Sequence, residues 1–515
     1  MNETNGNAAL YFVDRHADGA AADKVAFIEG ERTLTYRELA RESGRLAGLY
    51  AAHGLQPEDR AAMIVLDTIE FPIIFWGSLK AGIVPAPLNT LLTAENYEAI
   101  LNDSRAKALF VSKELLASLE PIIARCRSLK AVFVVGEAAH RHLSFERELA
   151  KHAPVPAIDA PADQCAFWLY SSGSTGRPKG VRHVHSSLKA TADTYGAQVL
   201  GIEAEDVVFS AAKLFFAYGL GNAMTFPMSV GATAALCRAR PTPDKVLEAI
   251  AAARPTIFCG VPTLYAALLA AMGERLPAGF DRLRRCISAG EALPAEIGER
   301  WRKLTGVDIL DGVGSTEMLH IFLSNRPGDV AYGTSGVAVP GYELRLVDES
   351  GKDAADGEIG ELLVKGASAS DGYWNQRDKS RSTFEGHWTR TGDKYERRPD
   401  GRYVYCGRTD DMFKVSGLWV SPFEVEQALV SHPAVLEAAV VPGLDENGLE
   451  KPKAYVVLKN KADANQIAAT LKEHVKQKVG KWKYPRWIEV VDELPKTATG
   501  KIQRFKLREK AGAEA

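Results

Sequence analysis

Short, unbroken apolar blocks punctuate the first third of the chain, at Ala61 to Leu66, Ala108 to Val111 and Ala131 to Val135. Blocks of four to six such residues read as strands buried on both faces, and the amphipathic stretch Tyr36 to Ala52 reads as a helix beside them. The same alternation returns in the middle third, with short strands expected at Thr233 to Cys237, Thr256 to Cys259 and Arg285 to Ser288. Strands alternating with helices imply α/β layering. Beyond Gly333 the period changes to two. Tyr342 to Val347, Ile359 to Lys365 and Arg402 to Gly407 alternate between Asp/Gly turns, so a β-rich section is expected. After the polar stretch Gly407 to Asp411 mixed patterns restart, with a helix at Pro422 to Ser431, strands at Val435 to Val441 and Ala454 to Val457, and a basic helix at Gln466 to Gly480.

These patterns predict a large α/β body of several subdomains over 1–409 and a small α+β domain over 410–515. A chain of 515 residues exceeds what one hydrophobic core organises, which agrees with that division. The longest apolar stretch, Phe71 to Leu88, is broken by Lys80 and by Pro72, Pro85 and Pro87, so it reads as buried helix and loop and not as a membrane span. Met1 to Ala9 lack a basic region leading into an apolar run, and a cytoplasmic location is expected.

Composition narrows the partners. A net charge of −2 offers no basic excess to neutralise a nucleic-acid backbone. The six cysteines, Cys126, Cys165, Cys237, Cys259, Cys286 and Cys406, show neither CxxC pairing nor Cys/His ligand spacing and read as reduced thiols. His183 and His185 form an HxH pair with no third ligand, for which strand or turn packing is the expected role.

The most informative segment runs from Phe167 to Gly180, an apolar strand entering the loop Ser171-Ser-Gly-Ser-Thr-Gly176 and ending in Arg177-Pro-Lys-Gly180. Glycines let the backbone approach a ligand and present N–H groups, hydroxyls add donors, and Lys179 adds charge, which together suit phosphate. The P-loop pattern GxxxxGK[ST] is absent, the dinucleotide fingerprint fails at Glu317, and the hydrolase elbow fails at Ser172.

This segment resembles the phosphate loop of the adenylate-forming superfamily of acyl-CoA synthetases, luciferases and peptide-synthetase adenylation domains. Ser288 to Glu291, Gly314 to Glu317, Trp388 to Asp393, Gly407 to Lys414 and Pro495 to Lys501 come in that superfamily's order. The stretches Leu214 to Ala223 and Gly314 to Asn325 are similar to its benzoate-CoA ligase branch. Val313 departs from the wider superfamily, which often has an aromatic residue there, and leaves room for a substrate ring.

The resemblance implies an ATP-, Mg²⁺- and coenzyme A-dependent ligase and a role for each matching residue. Ser171, Ser172, Gly173, Ser174, Thr175, Gly176 and Lys179 would hold the β- and γ-phosphates, Thr316 would donate to the α-phosphate, and Glu317 would carry Mg²⁺. Gly290, Glu291, Asp311 and Gly312 would frame the adenine, and Asp393 and Arg408 the ribose. Lys501 would serve adenylation, Asp410 would be the hinge of a mobile small domain, and Lys414, Gly417 and Trp419 would meet CoA. Ala217, Tyr218, His320 and Ile321 would line a pocket for benzoate or a hydroxy-, amino- or heteroaromatic acid, while Phe215, Phe216 and Phe322 are expected in the core. The expected assembly is a monomer or homodimer. A stand-alone adenylation domain loading a carrier protein is the other class, and a chain ending at Ala515 offers no carrier domain for it.

Overall fold

The computed structural model describes residues 5–136, 141–172, 178–415, 418–446, 448–460, 467–480, 483–496 and 502–513. Five parallel strands, in the order Val84–Pro87, Arg60–Ile64, Ala108–Ser112, Ala131–Val135 and Leu143–Ser144, form one sheet of the body. Their interiors are apolar because helices cover both faces of a parallel sheet. The sequence pattern predicts loop around Pro85 and Pro87, yet Val84–Pro87 is a strand. It lies at the edge of its sheet, where a missing N–H is tolerated.

Helix Tyr36–Ala52 starts at a capping box, with Thr35 accepting from Glu38 N–H and the Glu38 carboxylate accepting from Thr35 N–H. Its buried face meets helix Glu70–Lys80 so closely that a Cβ on Gly77 would fall 2.7 Å from the Leu46 Cβ and from Ser43 O. Every residue of Glu70–Lys80 is buried, which accounts for its apolar run.

A second sheet has nine strands, in the order Val337–Ala338, Ile321–Ser324, Ile309–Gly314, Arg285–Ser288, Ile257–Gly260, Val207–Ser210, Thr233–Ala235, Val25–Glu29 and Arg32–Thr35. The strands from Ile309–Gly314 to Val25–Glu29 run parallel. The carboxyl ends of parallel strands are where open α/β sheets bind ligands, and Ser210, Gly260, Ser288 and Asp311 stand there. A smaller antiparallel sheet joins Gly372–Tyr373, Pro178–Val184 and Cys165–Ser172.

The chain separates into two compact units, residues 1–344 with 364–390, and 345–363 with 391–515. The β-rich section takes the form of strands Glu343–Val347, Ile359–Lys365, Trp388–Arg397 and Tyr403–Arg408. The tail folds as a sheet ordered Val435–Leu444, Glu450–Leu458 and Trp487–Val490, packed by helices Pro422–Val430 and Ile467–Val479 around Val425, Leu429, Val440, Val456, Leu471 and Val475. No helix among the described residues is long and apolar enough to cross a membrane.

Candidate active site

Strands Cys165–Ser172 and Pro178–Val184 form a hairpin in which Ser171 pairs with Lys179 and Ser172 with Pro178. Gly173, Ser174, Thr175 and Gly176 at its tip lie outside the described residues, as does the Ser172 side chain. The Lys179 Nζ donates to Glu317 Oε1 at 2.9 Å and to the Tyr373 hydroxyl oxygen at 3.0 Å, and lies 4.3 Å from the Tyr373 ring centroid. Tyr373 donates to the same Glu317 oxygen at 2.8 Å. Burial pushes the Glu317 carboxyl up, but the Lys179 charge and the hydrogen bonds from Lys179 and Tyr373 outweigh it, so its pKa falls below the ordinary value. Glu317 is therefore an ionised carboxylate in a sheltered place. Tyr373 escaped sequence reading because Ser370-Asp-Gly-Tyr-Trp374 looks like a turn, and its part depends on Gly372–Tyr373 pairing with Pro178–Val184.

The backbone around Glu317 is fixed from three sides. Met318 N–H donates to Ser315 Oγ at 3.1 Å, Ser370 N–H to Glu317 O at 2.8 Å, and His183 Nε2 lies 2.8 Å from Thr316 O. Burial pulls the His183 pKa down to about 4, so the neutral ring donates from Nε2 to the Thr316 carbonyl while stacking on Phe167. His185 Nδ1 accepts from Ala8 N–H at 3.2 Å. The HxH pair thus faces two different partners.

Ser288 and Asp311 are neighbours in register on adjacent parallel strands. The Asp311 carboxyl is pushed up to about 8 by burial, with Leu293 N–H 3.4 Å from Oδ2. Gly290, between them and exposed Glu291, has φ +93°, a conformation that favours glycine. Gly312 lies against Ile321, whose Cγ2 would be 2.8 Å from a Cβ placed there.

At the same strand ends, helix Ala217–Leu220 presents Tyr218, whose hydroxyl lies 3.1 Å from both Gly260 O and Ile287 O. His320 packs among Tyr195, Tyr218 and Phe226, with ring centroids at 5.1, 5.7 and 4.5 Å. A Cβ on Gly221 would sit 2.4 Å from its Cδ2, so glycine is required for this fit. Burial drives the His320 pKa down to about 3, leaving a neutral ring. Tyr218 and His320 are brought together, Ala217 precedes Tyr218 in the helix, and buried Ile321 comes directly after His320. Tyr195 and Phe226 come from helical segments that gave no motif signal. Phe215 and Phe322 are buried as expected, but Phe216 is not: it is exposed and tilts over Phe215 at 4.4 Å, because the turn closed by Phe216 N–H on Lys213 O carries it outward.

In the second unit Asp393 and Arg408 face each other in register, with Arg408 Nη1 donating to Asp393 Oδ1 at 2.8 Å and to Thr391 O at 3.2 Å. Asp410 lies in a turn where Asp411 and Met412 N–H groups both reach Arg408 O at 3.0 Å. Asp411 is held by Arg508 at 2.6 Å. Lys414 donates to Glu349 at 3.0 Å. Gly417, the Trp419 side chain and Lys501 lie outside the described residues. The feet of the segment bearing Lys501 are nevertheless tied, by the Lys496–Ile502 bridge and by Arg504 donating to the buried Glu426 at 2.7 Å.

Residues 13–374 match the AMP-binding enzyme family, and 424–501 match the AMP-binding enzyme C-terminal domain. The chain belongs to the AMP-binding enzyme family. Within this adenylate-forming family it falls in the benzoate-CoA ligase branch. It is 54% identical over 507 residues to a 4-hydroxybenzoate-CoA/benzoate-CoA ligase of Rhodopseudomonas palustris, covering 98% of this chain and 94% of the relative. Against a benzoate-CoA ligase of Thauera aromatica it is 53% identical over 505 residues, covering 98% and 95%. Among solved structures, a benzoate CoA ligase from Burkholderia xenovorans LB400 matches with a TM-score of 0.88 and 50% identity, covering 98% of this chain and 99% of that one. An anthranilate CoA ligase in complex with anthranoyl-AMP matches with a TM-score of 0.92 and 41% identity, covering 99% and 98%.

Proposed function

We propose that this AMP-binding enzyme is an aryl-CoA ligase that converts benzoate or a close relative to its CoA thioester, releasing AMP and pyrophosphate. The Lys179–Tyr373–Glu317 cluster, together with the aromatic-walled segment around Tyr218 and His320, carries the reading. In the first step the carboxylate oxygen attacks the α-phosphorus of ATP and pyrophosphate leaves. In the second the CoA sulfur, having lost its proton, attacks the acyl carbon and AMP leaves. Two anions meet in the first step, so converging cations and N–H donors lower its barrier.

Lys179 and the hydroxylated loop hold the β- and γ-phosphates, and Thr316 serves the α-phosphate. The ionised Glu317 carboxylate, a hard oxygen donor, fits Mg²⁺. Bound there, the ion offsets negative charge on the phosphates. Gly290, Glu291, Asp311 and Gly312 frame the adenine, and Lys414, Gly417 and Trp419 meet CoA. Lys501 acts in adenylation, and rotation about Asp410 then presents the thioester-forming face. The enzyme works in the cytoplasm as a monomer or homodimer.

Asp393 serves the ribose hydroxyls, with Arg408 holding its orientation. Asp393→Ala removes charged acceptors worth about 1.5–3 kcal/mol per bond, so the KM for ATP rises roughly 10- to 100-fold while the KM for the acid holds. Initial-rate kinetics with each substrate varied in turn check this, and an unchanged ATP KM would exclude the ribose role.

The pocket is tested by its walls. Ile321→Ala opens space against the ring and Ala217→Leu fills it; since a methylene in an apolar pocket is worth about 1–3 kcal/mol, preference between benzoate and a methylated analogue shifts about 10-fold in opposite directions. Measure kcat/KM for benzoate, methyl-, hydroxy- and aminobenzoates and a medium-chain fatty acid on wild type and both variants. Unchanged ratios, or a wild-type preference for the fatty acid, contradict the aromatic reading. The same panel decides between benzoate and hydroxylated acids, both of which the Rhodopseudomonas palustris relative is named for.

A further inference from the structure

Asp67, only 4% exposed, lies just past strand Arg60–Ile64 of the five-stranded sheet, whereas Lys213 lies just past strand Val207–Ser210 of the nine-stranded sheet. Two links join them. Lys213 Nζ lies 3.8 Å from Asp67 Oδ2, and Leu214 N–H lies 3.3 Å from Asp67 Oδ1. Lys213 Nζ also donates to Ala239 O at 2.7 Å and to Cys237 O.

The proposed acid-binding segment begins immediately after Lys213. Phe216 N–H donates to Lys213 O at 3.0 Å, and Leu220 N–H to Phe216 O at 2.8 Å, so the turn leads directly into helix Ala217–Leu220. Gly219 folds back so tightly that a Cβ on it would lie 2.1 Å from Lys213 O and 2.5 Å from Ala212 O. The far side of the helix is tied by the Tyr218 hydroxyl to Gly260 O and Ile287 O. Displacement of Lys213 therefore moves Ala217 and Tyr218.

We propose that Asp67 and Lys213 are positioning residues that hold the Ala217–Tyr218 wall of the acid pocket at its working distance, a role that rests on the aryl-CoA ligase reading above. Neither residue is assigned contact with the acid. The arrangement is hard to attribute to stability alone, because burial lifts the Asp67 carboxyl to about 6 despite Lys213 and the Leu214 N–H. A carboxyl raised in this way binds its proton more tightly folded than unfolded, so its ionisation lowers stability as pH rises through about 6. The charged group facing it is Lys213; the Cys237 thiol, kept neutral by burial, is the other titratable group nearby. A charge kept against the fold's preference, at the root of a substrate-binding segment, is what a functional constraint produces.

Two substitutions separate the links. Asp67→Asn removes the charge but keeps an oxygen for Leu214 N–H, and Asp67→Ala removes both. With ATP, Mg²⁺ and CoA saturating, Asp67→Asn lowers kcat/KM for benzoate about 10-fold, mainly through KM, because a small misplacement of a pocket wall weakens orientation. Its acidic limb near pH 6 disappears, its KM for ATP is unchanged, and its melting temperature is not lowered. Asp67→Ala falls at least as far and speeds amide hydrogen exchange across residues 211–220. Wild-type KM for benzoate in both variants with unchanged exchange overturns the proposal. So do parallel losses for benzoate and ATP with a lowered melting temperature, the mark of a general structural role. If wild type turns over no aromatic acid, the aryl-CoA ligase reading fails, and hydrogen exchange over 211–220 still decides whether Asp67 holds the segment.

Discussion

Lys501→Ala slows adenylate formation about 10²- to 10³-fold, while thioester formation from supplied aroyl-adenylate keeps the wild-type rate. The reason is the timing of charge. When the carboxylate attacks the α-phosphorus, negative charge gathers between two anions, and an ammonium placed there acts on the transition state more than on bound substrates. In the second step the acyl carbon is the electrophile, and the proposed role gives this ammonium no task there. The structure contributes the anchoring: the Lys496–Ile502 bridge, Gln503 N–H on Pro495 O at 2.8 Å, and Arg504 on Glu426 tie down the described residues on either side of 497–501. Rapid-quench measurement of each half-reaction checks the prediction. Equal damage to both refutes the assignment.

Glu317→Gln is expected to be nearly as severe in adenylation, again about 10²- to 10³-fold, since the neutral amide offers Mg²⁺ a weaker ligand and leaves Lys179 without its counter-charge. This variant carries a second signature, in stability. The Glu317 carboxyl is held below its ordinary value, so its ion pair stabilises the fold above the usual carboxylate range, and that contribution fades as pH falls through the lowered pKa. Wild type should therefore exceed Glu317→Gln in unfolding free energy at pH 7 by about 1–3 kcal/mol, and the gap should narrow below about pH 4. Calorimetry across that range checks the sign. A gap that widens on acidification would show that Glu317 is not ionised in the fold.

Strands and helices were legible where periodicity was strong. Helix Tyr36–Ala52 and strands Ala131–Val135, Arg285–Ser288 and Ile359–Lys365 have the bounds that the pattern predicts. The tail's hairpin was underestimated, because Val435–Leu444 and Glu450–Leu458 run past their apolar centres into polar residues held only by cross-strand pairing. Loop chemistry and local order single out Lys179 and Glu317 in the sequence, and the structure brings these two side chains together. Tyr373 was not legible, since it enters through pairing between residues nearly two hundred positions apart. Tyr195 and Phe226 were hidden for the same reason. Their contact with His320 is tertiary, and an aromatic residue in a helix carries no local mark of the ring it will meet. Asp67 belongs to no motif, and only the fold brings it to Leu214.

Two-step chemistry through an aroyl-adenylate is tested most directly by a single-turnover reaction of enzyme, ATP, Mg²⁺ and benzoate without CoA, quenched and resolved by mass spectrometry. The expected product is enzyme-bound benzoyl-adenylate with one equivalent of pyrophosphate, converted on addition of CoA to benzoyl-CoA and AMP. Formation of ADP and phosphate in place of AMP and pyrophosphate, or an adenylate with a medium-chain fatty acid but none with any aromatic acid, would contradict it.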